Sequence, residues 1–261
     1  MAVPRKRKMP IIFIGHGSPE NAIEDNEYVR NWEKLASKVP KPKAILCISA
    51  HWLTEGTAVT AMAAPKTIHD FYGFEDELYK IRYGAKGDPE LAGRIKDMVK
   101  TVKVVEDKEW GLDHGCWVPL VRMYPQADIP VLQLSIDMDI EPKQHFKIGK
   151  EISKLREDGV LIIGSGNIVH NLGMASMGAE IYPWALEFDS FVADKLKKGD
   201  IDALIDFEKQ KSASLAHPTI DHYLPLLYVI GAVDKEKPEF FNDVFFAGSL
   251  SMRCVVYRAA L

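Results

Sequence analysis

The 261-residue chain predicts an α/β domain with a mainly parallel central sheet flanked by helices. Three observations carry that prediction. The runs IIFI at 11–14, AILCI at 44–48 and VLII at 160–163 are apolar on consecutive residues, which suits strands covered on both faces. Segments with helical apolar spacing lie between such runs, giving a strand–helix–strand alternation. No repeat, low-complexity stretch or Pro/Gly/Ser-rich linker divides the sequence, so a single domain is expected over 1–261, with 1–9 a basic tail.

The elements follow in order. Residues 11–14 and 44–48 read as buried strands. Between them, 21–39 is polar with Val29, Trp32, Leu35 and Ala36 on one helical face. Asp88 and Pro89 form an N-cap and first-turn signal, and Leu91, Ile95, Met98 and Val99 then make one apolar stripe. Strands at 131–136 and 160–163 flank a helix opened by Pro142. In that helix Ile148, Ile152 and Leu155 recur at the helical period, and Gly159 fits its end. Residues 183–208 read as helical with a break at Gly199. The Val- and Phe-rich stretch 243–257, with Gly248 in its middle, reads as one or two late strands.

Composition excludes several function classes. Hydrophobic residues are 47% and charged residues 27%, ordinary for a globular chain and unlike a disordered or fibrous one. Lys plus Arg is 33 against 37 for Asp plus Glu, a net charge of −4, which argues against a broad basic face for nucleic acid or anionic lipid. The longest apolar runs are far short of a membrane span, and MAVPRKRK is followed only by IIFIG, so no signal-peptide apolar region is expected. The run Arg5 to Lys8 reads as a solvated tail rather than a nuclear signal. Cys47, Cys116 and Cys254 are widely separated with no CxxC pair. They exclude a disulfide framework or thiolate zinc cluster and point to a reducing, cytoplasmic location.

The histidines carry the chemistry. His16 follows IIFIG, His51 follows AILCISA and His170 follows VLIIGSGNIV, each at or just past the carboxyl end of a predicted buried strand. Open α/β sheets assemble their sites at that edge, and imidazole suits zinc, iron, copper and nickel. Gly15 and Gly17 flank His16 and permit a tight turn, with Ser18 and Pro19 at a helix entry. Gly164, Ser165 and Gly166 are read as placing His170. In WGLDHGCWVPL, His114 stands beside Asp113 and between Trp110 and Trp117. This suits proton transfer or binding of a planar substrate, or equally a turn histidine near two core tryptophans. Of His217 and His222, pattern alone does not choose. His69, in the polar-aromatic TIHDFYGF, either covers a pocket or is a plain loop residue, and His145, between Lys143 and Lys147, reads as a solvated helix-face residue.

Other chemistries fit less well. The dinucleotide fingerprint fails because Glu20 stands where its third glycine belongs. GSGN is not a nucleophile elbow, since Asn167 replaces the second glycine, and HExxH is absent. Cys116 has no obvious orienting base. A histidine-ligated metal is the chemistry this sequence offers best.

The stretches GHGSPENAIEDN, ISAHW, TIHDFYGF, WGLDHGCWVPL, QLSID, GSGNIVHNL, HYLPLLYVIGA and GSLSMR run from residue 15 to 253. Together they resemble the class III extradiol ring-cleavage dioxygenases, specifically the 4,5-DOPA extradiol dioxygenase-like subgroup. The resemblance implies one α/β domain binding one non-haem metal: Fe(2+) for activity, with Zn(2+) an alternative occupant. It further implies a reaction that inserts both atoms of O2 beside the two hydroxyls of a catechol and gives a semialdehyde. By motif, His16 and His51 match histidine ligands, and His170 matches a histidine at the metal that is either ligand or acid–base residue. His222 matches the remaining ligand position, and His114 a histidine facing the substrate. His69, Phe71, Trp117 and Ser18 are the expected substrate-binding residues, with Tyr72 an alternative to Phe71 against the ring.

The usual Fe(2+) oxygenase set is two histidines and a carboxylate, so His222 in place of the carboxylate makes an all-imidazole set, a trait the DOPA-like subgroup shares. Asp221 is adjacent, but at a helix start it is expected to point elsewhere than His222. A zinc-dependent hydrolase on the same histidines and a non-catalytic interaction protein are the alternative functions. The chain is expected to act as a monomer or homodimer on a small aromatic substrate, without nucleic acid or membrane.

Overall fold

The computed structural model describes residues 8–259. Its chain alternates as the periodicity predicts. β1 (Ile11–Gly15) leads through a short 3-10 turn to α1 (Glu27–Ala36), then β2 (Ala44–Thr54) and β3 (Thr57–Thr60). α2 (Asp76–Lys80), α3 (Pro89–Met98), β4 (Val104–Asp107) and α4 (His114–Met123) follow. β5 (Val131–Asp137), α5 (Pro142–Ile152) and β6 (Val160–Gly166) form one crossover unit. α6 (Pro183–Lys198), α7 (Ile201–Ile205), α8 (Ala213–Ala216) and α9 (Leu224–Gly231) precede the last strands: β7 (Pro238–Phe241), β8 (Phe245–Phe246), β9 (Leu250–Ser251) and β10 (Cys254–Tyr257).

The main sheet has the order β4-β3-β5-β2-β6-β1-β10-β7, and β8 pairs with β9 apart from it. The pairs β4–β3, β5–β2, β2–β6 and β6–β1 run parallel, while β3–β5, β1–β10 and β10–β7 are antiparallel. Consecutive residues of a strand feed opposite faces, so a run such as IIFI supplies both layers. Ile11 and Phe13 join Leu46, Ile148 and Tyr228 on one side; Ile12 and Ile14 join Ile45, Trp32 and Trp117 on the other. Among the described residues, no helix is long and apolar enough to cross a membrane.

Helix signals held where they were strongest. Asp88 caps α3 by accepting from the Leu91 N–H, Pro142 opens α5, and Gly159 and Gly199 each end a helix in the left-handed region. The broad 21–39 segment is the 3-10 turn plus α1, which is capped by the Asn26 side chain at the Val29 N–H. β3, β4 and β7 were not legible, being four-residue strands at or near sheet edges with little apolar run to mark them. The late stretch 243–257 holds three strands rather than one or two.

Three readings of single residues are corrected. Residues 1–7 of the expected basic tail lie outside the described residues, but Lys8 and Met9 belong to the fold. Met9 is buried, and its backbone exchanges hydrogen bonds with the backbone and guanidinium of buried Arg156. His51 is not past its strand but inside β2, which is longer than its apolar run. His145 is not solvated: it is fully buried, with Nδ1 2.8 Å from the Tyr228 hydroxyl. It shares one face of α5 with Ile148 and Ile152, three and seven residues on, and the wholly buried α9 closes over that face.

Burial lowers the His145 pKa to about 4, offset in part by Asp137. The unfolded chain therefore takes up a proton between pH ~6.5 and ~4 that the folded chain refuses, so stability falls as pH drops through that window, by up to ~3 kcal/mol for this one group. Urea unfolding at pH 7 and pH 4 checks this. A His145→Leu variant should start less stable and lose less on acidification than the parent, and equal losses would remove His145 from the account.

Candidate metal centre

β1, β6 and β2 end or break at one edge of the sheet, and the histidines gather there. His16 follows β1 directly and its N–H is bound by the Gly166 carbonyl at the end of β6. β2 follows β6 as far as Ser49 and keeps register with β5 to Ile48. It rejoins β5 only at Leu53, paired with Ile136, so five residues on β2 span two on β5. His51 lies in that bulge, and such irregularities re-aim side chains. His222 arrives just before α9, whose approach depends on Gly166: a Cβ there would stand 2.1 Å from the His222 carbonyl oxygen. His114 opens α4, which packs onto β2 because Gly115 leaves room for Ser49 Oγ, 2.4 Å from where a Cβ would be.

Three imidazoles turn one nitrogen inward. His16 Nε2 and His51 Nε2 are 3.0 Å apart, His222 Nε2 is buried without a hydrogen-bond partner, and the ring nitrogens of the three lie within 4.8 Å of one another. Each outer nitrogen has an oxygen. Ser165 Oγ donates to the Gly115 carbonyl at 2.5 Å, so it accepts from His16 Nδ1 at 3.0 Å. His222 Nδ1 is 2.7 Å from Asp221 Oδ1, and His51 Nδ1 is 3.4 Å from Asp70 Oδ2. Ionised carboxylates only accept, so His222 carries its proton on Nδ1, as His16 does against Ser165, and the Asp70 charge beside His51 Nδ1 favours the same form there, which turns the inner nitrogens to lone pairs. Burial, together with the neighbouring imidazoles, lowers His16 and His222 well below the usual histidine value and takes His51 to about 3, so all three are neutral near pH 7. Three neutral imidazole nitrogens converging in this way fit a divalent metal with histidine ligands backed by outer oxygens.

Asp221 therefore points at His222, contrary to the expectation that it would point elsewhere. A residue's carboxylate reaches the next residue's backbone N–H and ring together because the turn before α9 is not yet helical. Gly164, Ser165 and Gly166 do not place His170 as read. Ser165 holds His16 and Gly166 makes room for His222. The carboxylate beside the His114 ring is Asp70, 2.9 Å from Nδ1, not Asp113. Asp113 is buried beneath it, accepting from Ser49, Gln133 and the Cys116 N–H. Asp70 was missed although it lies inside TIHDFYGF, where an acidic residue among aromatics was the available signal.

The remaining expected residues divide. His170 lies flat on His222, ring centroids 3.4 Å apart and planes 3° from parallel, and burial lowers its pKa to about 4. The Phe71 ring stands edge-on to His114 at 5.7 Å, with His69 and Trp117 packed behind it. Trp117 is fully buried, its indole N–H on the Ile68 carbonyl, and His69 Nε2 lies 3.1 Å from the Ile81 carbonyl. Tyr72 is 92% exposed, so Phe71 is the one of the pair that meets the histidines. Ser18 caps the 3-10 turn, its hydroxyl donating to Glu20 at 2.9 Å. His217 is buried among Phe188, Phe207 and Tyr223 with Nε2 on the Ile168 carbonyl, which leaves His222 as the member of the pair in the centre. Trp110 stacks on Trp52, a tryptophan the motifs did not single out. The three cysteines are buried and free, and burial with the nearby Cys47 raises the Cys116 thiol pKa, which makes it a poor nucleophile.

Neutral imidazoles gathered where parallel strands end define the class as a histidine-site α/β enzyme. A family model described as the catalytic LigB subunit of aromatic ring-opening dioxygenase matches residues 9–252. The chain belongs to that family, the class III extradiol dioxygenases. A 4,5-DOPA dioxygenase extradiol of Escherichia coli K12 is 46% identical over 255 residues, covering 95% of this chain and 94% of the relative. One from Beta vulgaris is 42% identical, with 92% of each chain covered. A crystal structure of an uncharacterized Escherichia coli K12 protein matches with TM-score 0.84 and 41% identity, over 95% of this chain and 99% of that one.

Proposed function

We propose that the chain is a metal-dependent extradiol dioxygenase that opens the ring of a DOPA-like catechol with O2 to give a semialdehyde. The observation that carries this reading is the set of three inward imidazole nitrogens on His16, His51 and His222, all within 4.8 Å of one another and that of His222 without a hydrogen-bond partner. The names of the relatives support the catechol and the extradiol position of cleavage. Fe(2+) held by these three histidines would supply a site where catechol oxygens and O2 exchange electron density, which Zn(2+), without redox chemistry, does not.

The protein's own groups then have separable tasks. His170, neutral near pH 7 and lying on His222, accepts a proton from a catechol hydroxyl. His114, backed by Asp70, returns a proton as the ring opens. Phe71 offers its ring beside His114 to a planar substrate, and His69 and Trp117 hold Phe71 in place. Burial of the histidine rings keeps bulk water from competing for those protons.

Oxygen uptake after anaerobic Fe(2+) reconstitution tests the reading, with DOPA and a panel of smaller catechols beside a zinc-loaded control. Stoichiometric uptake with a yellow product in the iron form alone is the expected result. No uptake with any catechol at confirmed iron occupancy would overturn it and favour hydrolytic or non-catalytic use of the same histidines.

A further inference from the structure

Asp70 touches two histidines of the centre that have different tasks. Its Oδ1 accepts the His114 backbone N–H at 2.9 Å; its Oδ2 lies 2.9 Å from His114 Nδ1 and 3.4 Å from His51 Nδ1. The side chain is 19% exposed. Its backbone is held firmly: Leu112 N–H donates to the Lys66 carbonyl at 2.8 Å, Ile68 N–H to the Leu112 carbonyl at 2.7 Å, and the Trp117 indole N–H to the Ile68 carbonyl at 2.8 Å. Segment 66–70 is thus fastened to 112–117 before the carboxylate reaches the histidines. The His114 N–H is also an otherwise unpaired donor of the first turn of α4, where a negative charge is favoured.

We propose that Asp70 is a positioning residue that fixes the tautomer of His114 and, with the same carboxylate, the aim of His51. The carboxylate can only accept, so the His114 ring, hydrogen-bonded to it, must offer Nδ1–H, and the charge 3.4 Å from His51 Nδ1 favours the proton on that nitrogen too. For His51 this leaves Nε2 as the lone pair that faces His16. For His114 it leaves Nε2 as the nitrogen free to take up and return a proton. One carboxylate therefore sets the metal-facing atom of one histidine and the proton-handling atom of the other, so neither can change partner without disturbing its neighbour. Ser165 hydrogen-bonds one ring and Asp221 lies against His222 and His170, whereas Asp70 lies between an inward histidine and His114, which makes it a point where metal holding and proton transfer are coupled. Only the turnover part of this inference rests on the proposed dioxygenase activity.

Long-range proton–nitrogen correlation spectra of the metal-free full chain test it, with the His114 signals assigned by their loss in His114→Gln. The wild type should show His114 in the Nδ1–H form. Asp70→Asn offers an amide that also donates, and should move His114 toward the Nε2–H form. Cobalt(2+) titration of the same metal-free proteins should show affinity ~10- to 100-fold weaker in Asp70→Asn, partly restored in Asp70→Glu. In the iron-loaded enzyme, kcat should fall ~100-fold with KM nearly unchanged, the mark of a lost proton-transfer geometry. An Nε2–H form of His114 in the wild type overturns the proposal outright, even if Asp70→Asn does not fold. An unchanged His114 signal with wild-type cobalt affinity in Asp70→Asn also overturns it. Should no catechol be turned over by the wild type, the spectra and the cobalt titration still decide the matter.

Discussion

His51→Ala should lose metal and turnover together, whereas His170→Ala should keep metal and lose turnover. The two histidines sit a short distance apart but face the centre differently. His51 Nε2 is 3.0 Å from His16 Nε2 and is one of the three inward nitrogens that would hold the metal. Removing it leaves two ligands and an uncovered Asp70, and affinity should fall well beyond the ~100-fold seen for loss of an outer partner. The His170 ring stacks on His222 and supplies none of the three inward nitrogens, which belong to His16, His51 and His222, so alanine there should spare metal and cost ~100- to 10,000-fold in kcat. Metal content after loading, measured by mass spectrometry, and kcat on the best catechol separate the two. Loss of metal from His170→Ala would make it a ligand, and full activity in either variant would sink the site assignment.

Gly166→Ala should damage both stability and the centre. The added Cβ would meet the His222 carbonyl oxygen at 2.1 Å and Pro225 Cγ at 3.3 Å, while the Asn167 N–H is bound to that same carbonyl. Backbone facing backbone has no rotamer by which to escape, so the turn bearing His222 must move. A loss of ~1–3 kcal/mol is expected from overpacking of this kind, together with weaker cobalt(2+) binding. Gly93→Ala in α3 is the control: nothing lies within 4 Å of its Cβ, and alanine should stabilise that helix by up to ~1 kcal/mol. Urea midpoints of the two variants would run in opposite directions. A wild-type midpoint and wild-type metal affinity in Gly166→Ala would show that the close approach is not what holds His222.

The strand runs and helix caps were legible because they are local. IIFI must be covered on both faces whatever surrounds it, and Asp88 followed by Pro89 starts a helix on its own terms. The gathering of His16 and His51 was legible for a related reason, since strand ends in such sheets share one edge. What escaped was set by contacts distant in sequence. His145 looked solvated between two lysines because its cover, α9, comes some eighty residues later. The choice between His217 and His222 depended on which faces Ile168 and which faces His16, and no spacing records that. Asp70 lay in plain view, but its meaning comes from His114 and His51, one far downstream and the other in a separate strand.

The inward nitrogens belong to residues 16, 51 and 222, so no short piece of this chain can assemble the centre. Their encounter waits on closure of nearly the whole polypeptide, which makes ion capture one of the last events of maturation rather than a nucleus for it. The ion then acts as a thermodynamic ratchet. Because the unfolded chain offers only scattered imidazoles, each tenfold excess of free ion over its dissociation constant deepens the folded basin by ~1.4 kcal/mol. The resting lifetime of this protein in a cell should accordingly track the local supply of divalent ion, independently of whether any substrate is present.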